Sequence, residues 1–307
     1  MPSTLTIVTI LPAAGLAAAF ALVRWSVHGT TLTLAATWGL VASLAVLSGW
    51  LSSAVFAWLA SPWDDIAWYG IAILVLCPPI AVLGARRPGV AAWNGFVLLP
   101  LIAVLGWPAI AVILSGARPG SFSLEAPPLI GLLLVLVMGT GNYAGTRYAP
   151  AAALVFGAVV LLAASLAPQT RWPLTPVQSR GLAVWGLGAA ALLAQLVWRR
   201  RNPDVAGPDR VWRDFRDQFG IVWAHRIRER VNAQALQEKW PIRLEPSGFV
   251  PVDPKQVICD SSTQQSIERT LRWLLRRFVS DAWMDVRLKS RIDTPTDGKS
   301  APQELDS

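Results

Sequence analysis

The chain has 307 residues, a mean hydropathy of +0.45, only 15% charged residues and a net charge of +8. So little charge on so apolar a chain excludes an ordinary water-soluble domain, and 2 cysteines exclude a disulfide framework. The charge is shared equally but at unlike densities: residues 1–198 carry 7 Arg, no Lys and 3 acids (+4), and residues 199–307 carry 20 Lys plus Arg and 16 acids (again +4).

The break between these regimes falls at Arg199–Arg201. Ahead of it, seven apolar stretches approach or exceed the roughly 20 residues a helix needs to cross a bilayer. They are Leu5–Val23, Thr33–Leu59, Ile66–Gly84, Ala92–Leu114, Pro128–Tyr143, Pro150–Ala167 and Gly181–Trp198. Each is expected to be helical, because backbone groups in lipid must be satisfied within the segment. No basic segment precedes Leu5, so the first stretch is expected to remain as a span. Cys77 lies inside an apolar stretch and Cys259 beyond the boundary, which predicts two free thiols.

Arginine placement sets the expected orientation. With the N-terminus outside and the C-terminus inside, Arg24, Arg86, Arg87, Arg147 and Arg199–Arg201 face the cytoplasm, against Arg118, Arg171 and Arg180 outside. Asp64, Asp65 and Glu125 then map to outer loops or the interface, leaving the spans without ionisable groups. Eleven of the 16 Trp precede residue 199, and Trp25, Trp58, Trp63, Trp68, Trp93, Trp172 and Trp198 fall near span ends, as an interfacial belt would. In tryptophan content this half is similar to haem-handling proteins of cytochrome c assembly. Those hold iron through histidine, and the only histidine here is His28, in a loop, which argues against that reading.

Proline marks the third and fourth spans. Pro78, Pro79, Pro100 and Pro108 each remove a backbone hydrogen bond and favour a kink. A dozen residues after Pro79 also resemble those after Ala109. Broken helices near the midplane are where transporters build sites, so Cys77, Pro78, Pro79, Pro100 and Trp107 form a candidate cavity. Asn94, Asn142, Tyr143 and Gln195 are candidate cross-helix hydrogen-bond formers, and Gly141 and Gly145 have the spacing of a close helix contact.

After a breaker-rich linker over 202–208, a helix is expected from Asp209, as its N-cap, to about Glu238. Trp212, Phe215, Phe219 and Trp223 share one face of it, and the stripe then degrades as Arg226, Glu229 and Arg230 enter the same sector. The spacing predicts an extended stretch or hairpin over Trp240–Val252 and a second helix over Thr263–Lys289, opened by Ser262 with Gln265 as a capping box. That helix carries an apolar stripe through Leu271, Leu275 and Phe278 and a basic ridge of Arg269, Arg272 and Arg276. The candidate tail interaction surface is therefore Trp212, Phe215, Phe219, Trp223, Arg269, Arg272 and Arg276, with the two stripes expected to pack together. His225 and Glu229, four apart, read as a surface pair rather than a metal site. Residues 291–307 read as a disordered tail.

The sequence thus describes an all-α protein. Residues 1–201 form a multi-pass transmembrane helix bundle of about seven spans, N-out and C-in, and residues 202–290 a small, mainly helical cytoplasmic domain. The expected location is a bacterial-type cytoplasmic membrane. No nucleotide, metalloprotease, hydrolase or paired-cysteine motif is present, so no cofactor or metal is implied. The expected partners are the lipid bilayer, anionic lipid headgroups and a cytoplasmic protein or neighbouring membrane subunit; the charge pattern argues against nucleic acid. The leading function is a non-enzymatic scaffold or accessory subunit whose tail docks a partner. The alternative is a permease-like carrier of neutral or lipidic cargo, and the third an enzyme acting on lipid through Asp64 and Asp65.

Overall fold

A computed structural model describes residues 4–55, 62–116, 122–166, 173–200, 207–253 and 260–289. Cys259, most of the linker at 202–208 and the segment 291–307 lie outside these residues.

Five helices are long and apolar enough to cross a membrane: α1 (Thr4–Ser26), α2 (Thr33–Val55), α3 (Pro62–Leu83), α4 (Val90–Leu114) and α7 (Pro176–Arg199). Two more, α5 (Ala126–Gly141) and α6 (Ala149–Ala164), are apolar but have 16 residues each, about 24 Å of helix at 1.5 Å per residue. Pro127-Pro128 and Pro150 fix the first turn of each, a position that needs no backbone donor, and both helices end two to three residues before the expected stretches do.

Helix α3 is the hub, touching α2, α4, α5 and α6, while α1 closes the bundle by packing on both α2 and α7. Its side chains Trp68, Tyr69, Ala72, Leu76, Cys77 and Ile80 are almost wholly buried. Helices α1 and α7 cross closely. A side chain on Gly188 would come within 2.7 Å of Pro12, so only glycine lets the two backbones approach there. Helix α4 lies at the edge, with Phe96, Val104, Trp107 and Leu114 exposed. Its fifth residue opens a wide π-type turn, Asn94–Leu98, beside which Asn94 accepts the Trp38 indole N–H (2.8 Å).

The tail follows as α8 (Pro208–Gln237), a hairpin of β1 (Ile242–Glu245) and β2 (Gly248–Pro251), α9 (Ser261–Leu275) and α10 (Asp281–Leu288). Three expectations are corrected here. First, α8 is broken at Gly220, where φ 79° and ψ 178° suit only glycine. That explains the stripe that faded after Trp223: the face is reset, and the second segment buries Trp223, Ala224, Ile227, Val231 and Ala235 on a stripe of its own. Second, Asp209 is inside the helix rather than its cap; its carboxylate accepts the Phe249 backbone N–H of β2 (2.7 Å).

Third, the single helix expected over Thr263–Lys289 is two. Asp260, not Ser262, caps α9, and Ser280 caps α10. The turn between them is held open by the membrane half. Thr31 donates to the Phe278 carbonyl (2.8 Å), Ser280 to the Gly29 carbonyl (2.7 Å), and Arg87 to the Arg277 carbonyl (2.9 Å). These bonds satisfy backbone groups that a continuous helix would have used internally.

Candidate functional site

Three loops of the bundle, α1–α2, α3–α4 and α5–α6, meet the tail, and one hydrophobic core runs through the junction. Val27, Leu32, Ile80 and Val82 from the bundle share it with Phe215, Phe219 and Phe278 from the tail. Phe278 is its centre. Phe215, Phe219 and Trp223 meet its ring edge-on, with centroids 4.9–5.4 Å away. The Trp223 indole donates to the Val82 carbonyl at the end of α3 (3.1 Å).

Asn142, in the α5–α6 loop, serves the Gly220 break. Its side chain donates to the Phe219 carbonyl (3.2 Å) and accepts from Val222 N–H (3.1 Å), while its own carbonyl accepts from Ile221 N–H (2.8 Å). Beside it, Arg147 donates to Asp217 (2.5 Å) and lies 3.5 Å from Asp214, which also accepts from Arg287 (2.8 Å); Arg216 holds the other Asp217 oxygen (2.9 Å). Burial works against the Arg147 charge, but its bond to Asp217 and the nearby carboxylates outweigh that and raise its pKa. The opposite end of the bundle has a cluster of its own. Buried Arg180 of α7 bonds both Asp64 and Asp65 in the first turn of α3, and Asp64 also accepts from Ser53 (2.9 Å). Asp64 and Asp65 thus lie in the first turn of α3 rather than in a loop, and Arg180 near the start of α7, ahead of the apolar stretches expected from Ile66 and Gly181.

Against this junction lies an apolar cavity of about 610 Å³, bounded by α1, α2, α3, α6, α7 and the Gln218 end of the first α8 segment. It starts just past the Pro12–Gly188 crossing, where α1 and α7 separate. Along α1 its wall runs from Leu16 to Val27, about 16 Å at 1.5 Å per residue. Most of the polar groups lie at the tail end, among them Thr140, Tyr143, Tyr148, Arg199, Asp217 and Gln218, while Ser43, farther along α2, is bonded to the Leu40 carbonyl of its own helix. Burial, with Tyr148 nearby, raises the Tyr143 pKa, so this phenol stays a neutral hydroxyl.

The structure distributes the residues singled out in the sequence unevenly. Pro78 and Pro79 line this cavity; Cys77, buried on α3, does not, and Pro100 and Trp107 sit on α4, with Trp107 exposed. The kinked α3–α4 pair therefore does not enclose a common space. Trp212, Phe215, Phe219 and Trp223 are buried inside the junction, while Arg269 and Arg276 stay at the surface and Arg272 pairs with Asp285 (2.6 Å). Gly141 and Gly145 have no neighbour within 4 Å where a side chain would project, so they make no close helix seam. His225 and Glu229 form an exposed pair (3.0 Å), and among the described residues no three His, Cys, Asp or Glu side chains cluster as metal ligands would. Sequence reasoning missed Gln218 and Gly220, and named Asn142 as a cross-helix hydrogen-bond former without its partner. Of the two missed, only Gly220 left a signal, a glycine at the point where the aromatic stripe loses its phase.

No family model matches the chain, and comparison with characterised proteins and with solved structures returns no match. The fold and cavity define a helical, membrane-compatible bundle with a docked tail; function must be argued from the cavity itself.

Proposed function

We propose that this is a non-enzymatic integral membrane protein that binds a lipidic molecule in the cavity beneath its tail, as a carrier or a sensor of that lipid. The observation that carries the reading is the cavity. Its volume falls within the 300–1,000 Å³ of small-molecule sites, its walls are mainly apolar, and most of its polar groups lie at one end. Its length of about 16 Å is about half the 30 Å hydrocarbon core, the depth of one leaflet. The aromatic face that the scaffold reading would offer to a partner is occupied within the chain, which moves that reading to second place. What still favours the scaffold is the exposed Trp273, stacked by Arg276, on the outer face of α9.

The proposal includes seven spans with the N-terminus outside. The two 16-residue helices are counted as spans because both pack among the five longer ones, and a locally thinned bilayer accommodates a short span at modest cost. Seven arginines on the tail side against three opposite support the orientation.

Two experiments test this. Reporter fusions after Arg201 and near Phe122 should report opposite sides of the membrane, with the first cytoplasmic; the same side for both sinks the topology. Purified full-length protein, delipidated in detergent, should bind a photoactivatable acyl-chain lipid with crosslinks on α1 and α7. Replacing Ala194, on the cavity wall, with Trp should abolish them. Crosslinking unchanged by Ala194→Trp overturns the cavity reading.

A further inference from the structure

Resting on that reading, we infer that the cavity selects an anionic single-chain amphiphile, held through Gln218 of the tail and Arg199 of α7, which enters sideways between α1 and α7. Three observations meet here. Gln218 is nine-tenths buried and lines the tail end of the cavity, yet its amide Nε2 has no hydrogen-bond partner among the described residues. Leaving a buried donor unsatisfied is costly, so such a group signals something that completes it. A donor asks for an oxygen acceptor.

The surrounding charge chooses among acceptors. Asp217, the only carboxylate among the described residues that line the cavity, is already held by Arg147 and Arg216, so it does not repel an anion as a bare carboxylate would. Arg199 lines the cavity and Arg24 closes the last turn of α1, and neither makes an ion pair with any described residue. The local field is therefore positive. A cationic headgroup would meet Arg199 and a carboxylate already paired with two arginines, whereas a carboxylate or a phosphate monoester can accept from both Gln218 and Arg199.

The chain's path follows from the crossing of α1 and α7. They touch at Pro12 and Gly188, and beyond that contact both line the cavity towards Ser26 and Arg199; in the proposed topology a gap between them there would face the leaflet on the tail's side. An acyl chain inserted there lies along Leu16, Ala42, Val75 and Leu187, with its head against the tail.

The test uses full-length protein in nanodiscs of zwitterionic lipid and three probes of equal chain length: oleate, oleoyl lysophosphatidic acid and oleylamine. Saturable binding of oleate or the lysophosphatidic acid is expected, with at least tenfold weaker binding of oleylamine. Whichever anion binds more tightly identifies a carboxylate or a phosphate as the headgroup. Gln218→Leu should weaken the anion about tenfold, and Gln218→Glu more, through repulsion. Each variant is first checked for a wild-type melting curve, and Arg199→Gln gives a second measure should Gln218 variants fail to fold. Anions and amine binding alike, unaffected by Gln218→Leu and Arg199→Gln but lost in Ala194→Trp, would overturn the headgroup assignment and leave the lipid cavity standing. No saturable binding of any probe to the wild type would overturn both.

Discussion

The two ends of the bundle each tie arginine to a pair of aspartates, but they do so for different ends. At the far end Arg180 reaches Asp64 and Asp65, joining α7 to α3 within the bundle, and both acids remain about a third exposed (35% and 32%). At the tail-bearing end Asp214 and Asp217 come from the tail and Arg147 from a bundle loop, so the cluster fastens one part of the molecule to the other; here the acids are nearly dry, at 5% and 2%. The difference teaches where such a chain spends charge. An ion pair at a wet edge orients two helices; a dry one fixes a docked domain, because losing either partner strands a buried charge.

The largest way to break this comparison is Asp214→Ala. It removes the carboxylate paired with Arg287, whose side chain is only 9% exposed, and should cost about 3–5 kcal/mol, read as a lower thermal midpoint in detergent. Next is Gly220→Ala. An L-residue at φ 79° is strained, and the new Cβ would sit 2.2 Å from the Asn142 amide, so a loss of about 3 kcal/mol is expected, with new protease cleavage in the tail. A smaller effect should follow Arg180→Met at the far end, roughly 2 kcal/mol, because Asp64 and Asp65 can rehydrate. Equal or greater destabilisation by Arg180→Met than by Asp214→Ala would reverse the comparison.

The smallest effect concerns pH. Donors from Ser266, then Gln234 and Trp240, hold the Glu238 carboxyl below its usual range, joining the end of α8 to α9. A depressed carboxylate contributes stability that is present above its unfolded pKa, about 4.3, and lost as pH falls through the folded value. Amide exchange at the start of α9 should therefore quicken on acidification below about pH 4, and Ser266→Ala should narrow the difference. Exchange there that is independent of pH after correction for intrinsic rates would remove the contact from the account.

Much of the helical plan was legible in the residues. Apolar length marked five long helices and two shorter ones, because a lipid-compatible helix satisfies its own backbone and needs no distant partner to be recognised. Proline placed the starts of α5 and α6 for the same local reason. Aromatic spacing identified the face through Trp212, Phe215 and Phe219, since the period of one helix is written in its own sequence. The alternation around Leu244 and Phe249 marked the hairpin in the same way.

Tertiary structure alone decided the rest. Asn142 looks like a cross-helix polar residue until Gly220, nearly eighty positions away, provides the broken backbone it completes. The apolar run through Leu275 and Phe278 looks like one helix until Gly29, Thr31 and Arg87 take the backbone bonds that would have continued it. The cavity is not where proline predicted it, because kinks locate bends in single helices, whereas a space opens where two helices part, and that depends on the contact of Pro12 with Gly188. Local periodicity and length fixed what each segment is. Where they meet rests on bonds between residues far apart in the chain, and no single stretch records those.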